Sequence, residues 1–254
     1  MQAKKKFGQN FLVNEKYINS IIDAIDVFSN DLIIEIGPGK GALTKRLKEK
    51  GANLIAYEID TDLQPILNAL EDEKTQIRYK DFLQADIVNL KKQYQNIYCI
   101  GNLPYYITTP IIERIITSRL EPREMVIMVQ KEVADRFLAK PHTKEYGYFT
   151  VYLQHYFQVE RVVDVPNTAF QPAPKVDSTV LKLKWKENQP DIDEEKYIKL
   201  LKNSFSQKRK QLKNNLKMYN WEAIKEVLSE YNLAETVRAE ELSEEVYIQL
   251  CQKI

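Results

Sequence analysis

A chain of 254 residues, 44% hydrophobic and 29% charged, has room for one large core or for a large and a small one, and is too apolar to be disordered. Its 37 basic and 36 acidic residues sum to +1, which taken alone argues for neither a nucleic-acid nor an acidic partner. The sum hides segregation: 199–217 carries seven bases and no acid, whereas 220–254 carries eight acids and three bases.

The elements follow in chain order. Asn14 is placed to cap a helix whose Ile18, Ile21, Ile22 and Ile25 share one face. Leu32 to Ile36 is a short apolar run ending at Gly37, the pattern of a buried parallel strand entering a tight turn. A helix from Ala42 follows, and Gly51 ends it. Further strands are expected at 53–57, 76–79, 96–100, 124–129, 158–164 and 178–184, with helices at 61–70 and 109–118. Alternation of strand and helix predicts an α/β fold with a Rossmann-like, mostly parallel sheet of seven strands. The last two, joined by a Pro-rich loop, are expected to form an antiparallel hairpin at one edge. Beyond the polar stretch 186–190 the pattern is helical, at 193–204, 207–217, 221–231 and 243–253. The expected division is a larger sheet domain over 1–186 and a small helical domain over 187–254.

Two cysteines, Cys99 and Cys251, make no disulfide framework or zinc site, and His142 and His155 have no metal-ligand spacing. No metal is expected. With no run long and apolar enough for a signal peptide or a membrane span, the expectation is a cytoplasmic protein without a membrane partner.

Glycine is scarce, with seven residues, and three of them, Gly37, Gly39 and Gly41, fall in eight residues where a strand becomes a helix. Such a loop lets a ligand approach the backbone closely, and it also fits the dinucleotide pattern G-x-G-x-x-A, so the glycines do not choose between an NAD-type and another adenosine cofactor. Glu58, at a strand end 21 residues past Gly37, suits the hydroxyls of a ribose, which both cofactors have. Glu35 separates them. A carboxylate beside the loop repels a pyrophosphate and attracts a sulfonium and an ammonium. Asp81 can accept a hydrogen bond from an adenine amine, with Asp86 ranked below it because it falls in the following loop. Together the three acids suit S-adenosyl-L-methionine.

Gly101-Asn102-Leu103-Pro104-Tyr105-Tyr106 ends the strand at 96–100. An adenine N6 amine is a poor nucleophile because its lone pair is delocalised into the ring. The Asn102 side-chain oxygen and the Leu103 or Pro104 carbonyl can accept its two protons and localise that pair. Tyr105 offers a flat face on which an extruded base can stack.

Asn102-Leu103-Pro104-Tyr105 resembles motif IV of the rRNA adenine N6-dimethyltransferase family. Gly8-Gln9-Asn10-Phe11-Leu12 resembles its N-terminal motif, Phe170-Gln171-Pro172-Ala173-Pro174-Lys175-Val176-Asp177-Ser178 its late loop, and Phe205 to Leu216 its C-terminal helix motif. The resemblance implies that Asn10, Leu12, Gly37, Gly39, Glu58, Asp81 and Asn102 hold the cofactor. It implies that Phe170 helps hold the target base, and that Asn102, Leu103, Pro104 and Tyr105 carry the catalysis. The form of the motifs is more like the housekeeping small-subunit enzymes than the macrolide-resistance methylases. That likeness implies dimethylation of two adjacent adenosines near the 3′ end of small-subunit rRNA, late in subunit assembly; a monomer is expected. Lys4, Lys5, Lys6, Lys208, Arg209, Lys210 and Lys213 are expected to meet RNA phosphates, although Lys208-Arg209-Lys210-Gln211 departs from the usual Arg-Arg-Lys-Thr. The rivals are a large-subunit rRNA methylase, a non-catalytic RNA-binding assembly factor, and an NAD-dependent oxidoreductase, which Glu35 disfavours.

Overall fold

The computed structural model describes residues 9–254. The chain forms two compact units. One holds the described residues up to Ala134 together with Val159–Trp185, and the other holds Asp135–Gln158 and Lys186–Ile254.

The strands in chain order are β1 (Phe11–Leu12), β2 (Leu32–Ile36), β3 (Asn53–Glu58), β4 (Thr75–Tyr79), β5 (Ile97–Asn102), β6 (Glu124–Gln130), β7 (Phe157–Val165), β8 (Phe170–Gln171) and β9 (Ser178–Trp185). Seven of them form one sheet in the order β4-β3-β2-β5-β6-β9-β7. The pairs from β4 across to β6 are parallel, and β9 runs antiparallel to β6. This is the Rossmann-like sheet the alternation predicts, with β7 at the edge beside β9. The remaining two strands, β1 and β8, make a small antiparallel pair, Leu12 opposite Phe170, which periodicity over two residues cannot signal.

Every residue of β2 is buried, as expected for a strand covered on both faces. Helix α1 (Glu15–Asp23) starts at Asn14, whose side chain accepts from the Lys16 N–H at 3.1 Å. It lays Ile18, Ile21 and Ile22 into a core shared with Ile33, Leu54 and Val126. Helix α2 (Ala42–Glu49) follows the glycine loop, α3 (Gln64–Leu67) lies between two 3-10 turns within 61–70, and α4 (Thr108–Thr117) follows β5. From β2 the chain winds through β3 to β4 on one side, then returns to β5 and β6 on the other. That reversal opens a crevice beyond the carboxyl ends of β2 and β5, where open α/β sheets bind ligands. The glycine loop leaves β2 there, and Asn102 ends β5 there.

The second unit contains α6 (Tyr148–Tyr156), reached through α5 (Lys131–Phe137), and then α7 (Glu194–Ser204), α8 (Leu212–Asn215), α9 (Trp221–Glu230) and α10 (Glu244–Lys253). The sequence expectation keeps residues 135–158 with the sheet. In the structure α6 buries Phe149, Val151, Tyr152, Leu153 and Tyr156, and its neighbours are α7 and α10. The Tyr146 hydroxyl donates to the Leu242 carbonyl at 3.0 Å, and Tyr156 to Glu194 Oε1 at 2.6 Å. Helix α6 itself has no counterpart in the sequence expectation: being apolar nearly all round, it shows no amphipathic stripe.

One expected helix is corrected. Residues 207–217 contain only the four-residue α8; 205–209 form turns, and Gln211 makes an isolated antiparallel bridge to Arg238. Asn215 Nδ2 donates to the Ser204 carbonyl at 2.6 Å at the end of α7, and the Leu212 N–H donates to the Val237 carbonyl at 2.8 Å, so a side chain ties the segment to α7 and its backbone pairs with residue 237 instead of continuing a helix.

Candidate active site

A cavity of about 580 Å³ occupies the crevice in the first unit, within the range of small-molecule sites. It is lined by Asn10, Leu12, Glu35, Gly37, Gly39, Glu58, Asp81 and Asn102 through Tyr106, so the structure brings together residues that lie far apart in sequence. Lys4, Lys5, Lys6 and Gly8 lie outside the described residues.

Gly37, Gly39 and Gly41 all have positive φ, and at Gly39 (φ +57°) a Cβ would also press to 3.1 Å of the Phe11 ring. The Gly39 N–H donates to Glu58 Oε2 at 3.0 Å, and the Asp60 N–H donates to Oε1 at 2.8 Å. Burial lifts the Glu58 carboxyl above the ordinary carboxylate range, while those two N–H groups hold it back. Each Glu58 oxygen still has a lone pair for a hydroxyl proton.

Glu35 is the unusual member. It is 1% exposed, and neither of its oxygens has a hydrogen-bond partner in good geometry; the Thr44 hydroxyl is unsatisfied as well. Burial pushes the carboxyl up to about 8, with the Thr44 hydroxyl and N–H pulling it back and the Glu58 charge adding to the rise. A carboxylate buried in a strand of aliphatic residues, with only the poorly aligned Thr44 donors beside it, is costly unless a ligand supplies a further donor or a positive charge.

Asp81 accepts from the Leu83 N–H at 3.0 Å and from Gln84 Nε2 at 3.3 Å, which fixes its carboxylate at the cavity wall. Asp86 is exposed, accepts from Asn89 and is not among the lining residues, in keeping with its lower rank.

Asn102 Nδ2 donates one of its two N–H groups to the Asn10 carbonyl at 2.8 Å, which orients the amide and leaves Oδ1 to accept. Gly101 is required by packing, since a Cβ there would lie 2.6 Å from the Ile36 carbonyl oxygen. The Leu103 side chain is buried and its N–H donates to the Met128 carbonyl at 3.2 Å. The Pro104 carbonyl already accepts from the Ile107 N–H at 3.1 Å and from the Thr108 hydroxyl at 3.4 Å. The Tyr105 hydroxyl shares a 2.8 Å hydrogen bond with Ser178 Oγ, and burial raises its pKa. Sequence reasoning places Ser178 in a motif without giving it a role; no local pattern reveals a partner 73 residues away.

Phe170, expected to help hold the target base, is buried at the β1 and β8 pair. It is 5% exposed and packs in the core with Leu12 and Ile18, outside the cavity lining. There it holds β8 against β1, next to Asn10.

The matches to known proteins agree with this geometry. The model of the family described as ribosomal RNA adenine dimethylase matches residues 1–254. This chain belongs to that family. Proteins named ribosomal RNA small subunit methyltransferase A are similar to it: one from Geobacillus sp. (strain WCH70) is 41% identical, with 97% of this chain and 90% of the relative covered, and one from Streptococcus gordonii is 42% identical, with 94% and 87% covered. The crystal structure of a dimethyladenosine transferase from Plasmodium falciparum superposes with a TM-score of 0.80 at 25% identity, covering 94% of this chain and 95% of that one. The 23S rRNA methyltransferase ErmE shares the fold, with a TM-score of 0.73 at 23% identity over 96% of this chain and 99% of its own. The protein is thus an rRNA adenine dimethyltransferase on a Rossmann-like sheet.

In this dimethyltransferase the described residues among those expected to meet RNA, Lys208, Arg209, Lys210 and Lys213, lie in the helical unit. Arg209 and Lys210 are exposed, Lys208 donates to the Lys144 carbonyl, and the Lys213 ammonium sits 5.3 Å over the Trp221 ring. Among the described residues no group of His, Cys, Asp or Glu is placed to hold a metal, and no helix is long and apolar enough to cross a membrane.

Proposed function

We propose that this enzyme dimethylates N6 of two adjacent adenosines near the 3′ end of small-subunit rRNA in an assembling subunit, with S-adenosyl-L-methionine as methyl donor. The small-subunit target is supported by the names of the relatives, which match along most of their length. The observation that carries the chemistry is Asn102, whose Nδ2 is tied to the Asn10 carbonyl.

The residues fit the cofactor. Glu35 lacks the positive partner that a methionine ammonium or a sulfonium provides, Glu58 has capacity for ribose hydroxyls, and Asp81 for the adenine amine. When bound, the cofactor supplies an electrophilic methyl group on a sulfonium. The chain's own residues prepare the acceptor. Asn102 Oδ1 takes one N6 proton, and the Leu103 carbonyl takes the other, because the Pro104 carbonyl is already committed to Ile107 and Thr108. Both hydrogen bonds draw the lone pair out of the ring and toward the methyl. Pro104 fixes its own φ and so holds the turn that presents these acceptors. Tyr105, held by Ser178, gives the extruded adenine a face to stack on and stabilises charge growing on N6. No side chain is needed as a base, since the proton on the alkylated nitrogen is acidic enough to leave to solvent.

The test uses small subunits from cells lacking the enzyme. Wild-type protein should transfer methyl groups to them, and Asn102→Ala should lower the rate about 10²- to 10³-fold, the scale for deleting one pre-positioned hydrogen-bonding group, while its circular dichroism stays unchanged. Full activity of Asn102→Ala would remove the assignment. Transfer only to large subunits would move the target.

A further inference from the structure

Large apolar side chains exposed in the described residues include Val13, Ile59 and Tyr106, at 53%, 47% and 59%, and all three line the active-site cavity. Ile59 directly follows Glu58, the residue proposed above for the ribose hydroxyls, and is left with the cofactor reading. Val13 and Tyr106 have no such account.

Tyr105 and Tyr106 are neighbours in one 3-10 turn, Tyr105–Ile107, yet they are held differently. Tyr105 is partly buried and its hydroxyl is engaged by Ser178. The Tyr106 ring stands in solvent at the cavity rim, and no hydrogen bond, ring contact or cation among the described residues engages it. An exposed tyrosine ring beside a reaction site is a surface awaiting a flat partner.

The substrate chemistry supplies one. Drawing an adenine out of its stack into the cavity strips its neighbour of a stacking partner at the cavity mouth. Every base has a π-face, so an aromatic ring at that mouth can replace the missing stack whatever the neighbour's identity. We propose that Tyr106 is a positioning residue for RNA, its ring receiving the base next to the adenosine that occupies the pocket. Val13 extends the apolar rim on which that base lies. The inference rests on the rRNA adenine reading above, and it deepens that reading by naming a contact to the base that flanks the target adenosine.

The experiment compares wild type, Tyr106→Phe and Tyr106→Ala in methyl transfer to small subunits from cells lacking the enzyme, with S-adenosylmethionine affinity measured by calorimetry. Tyr106→Ala should raise KM for subunits roughly tenfold, with kcat less affected and cofactor Kd within about twofold of wild type. Tyr106→Phe, which keeps the ring, should stay near wild type in both. An unchanged KM in Tyr106→Ala, a Phe variant as impaired as the Ala variant, or a matching loss of cofactor affinity would each overturn the role. Wild-type protein that transfers no methyl group would overturn the reading beneath it, and the inference with it.

Discussion

Glu35 is where a rule of sheet burial is broken, and the break has a thermodynamic signature. Its folded pKa of about 8 lies above the ordinary value of 4.5, so between those pH values the folded chain keeps a proton that the unfolded chain has released. Stability from this group is therefore greatest below about pH 4.5 and declines as pH rises toward 8. Glu35→Gln keeps the shape and removes the titration. In the ligand-free protein, the Tm of wild type should fall more steeply between pH 5 and pH 8 than that of Glu35→Gln; parallel curves would mean that Glu35 is already ionised or paired. Glu58 shifts in the same direction in both proteins, and its charge is part of the Glu35 rise, so the difference between the curves reports Glu35 together with its coupling to Glu58. Both acids are legible in the sequence as site residues, from their positions beside the glycine loop and at a strand end. The hydrogen bonds that set their state are not legible, because the Gly39 to Glu58 contact and the Asn102 to Asn10 contact exist only once the strands are side by side.

The elements that carry the site are strand ends, and their close approach imposes its own demands. Gly101 sits where β5 passes β2, and Gly101→Ala would drive a methyl group into the Ile36 carbonyl oxygen, a backbone atom with no freedom to yield. Overpacking of this kind costs about 1–3 kcal/mol. The variant should unfold at lower denaturant with the same slope, and its cofactor affinity should drop because Ile36 leads into the glycine loop; unchanged stability would show that the sheet can spread there. Elements with strong periodicity or clear punctuation are predictable from sequence: β2, α1 behind Asn14, α2 before Gly51, and the helices at 194–204, 221–230 and 244–253. Three features are not. The β1 and β8 pair is too short to have a period, α6 is too apolar to have a stripe, and the 207–217 helix gives way to side-chain and backbone partners that lie elsewhere in the chain. Phe170 belongs with these, since its burial comes from the β1 and β8 pairing.

Across the whole chain, the near-zero net charge is a poor guide to the partner, because the bases and acids of the last 56 residues are segregated in sequence. Screening limits each charge to about 10 Å, so the acidic stretch does not cancel the field of the basic one where they are farther apart than that. Replacing Lys208, Arg209 and Lys210 by alanine should weaken RNA binding and flatten its salt dependence by about one unit of slope for each phosphate no longer neutralised. Transfer at saturating RNA should change little. An unaltered salt slope would return these side chains to the role of a solvated surface. The claim that joins residue, element and molecule is that this chain dimethylates adenosines of small-subunit rRNA, and mass mapping of rRNA from cells lacking it tests that most directly. The account predicts that two adjacent dimethyladenosines near the 3′ end of small-subunit rRNA disappear, that large-subunit rRNA is unchanged, and that wild-type but not Asn102→Ala protein restores them. Small-subunit rRNA that keeps both dimethyladenosines without the protein would contradict it.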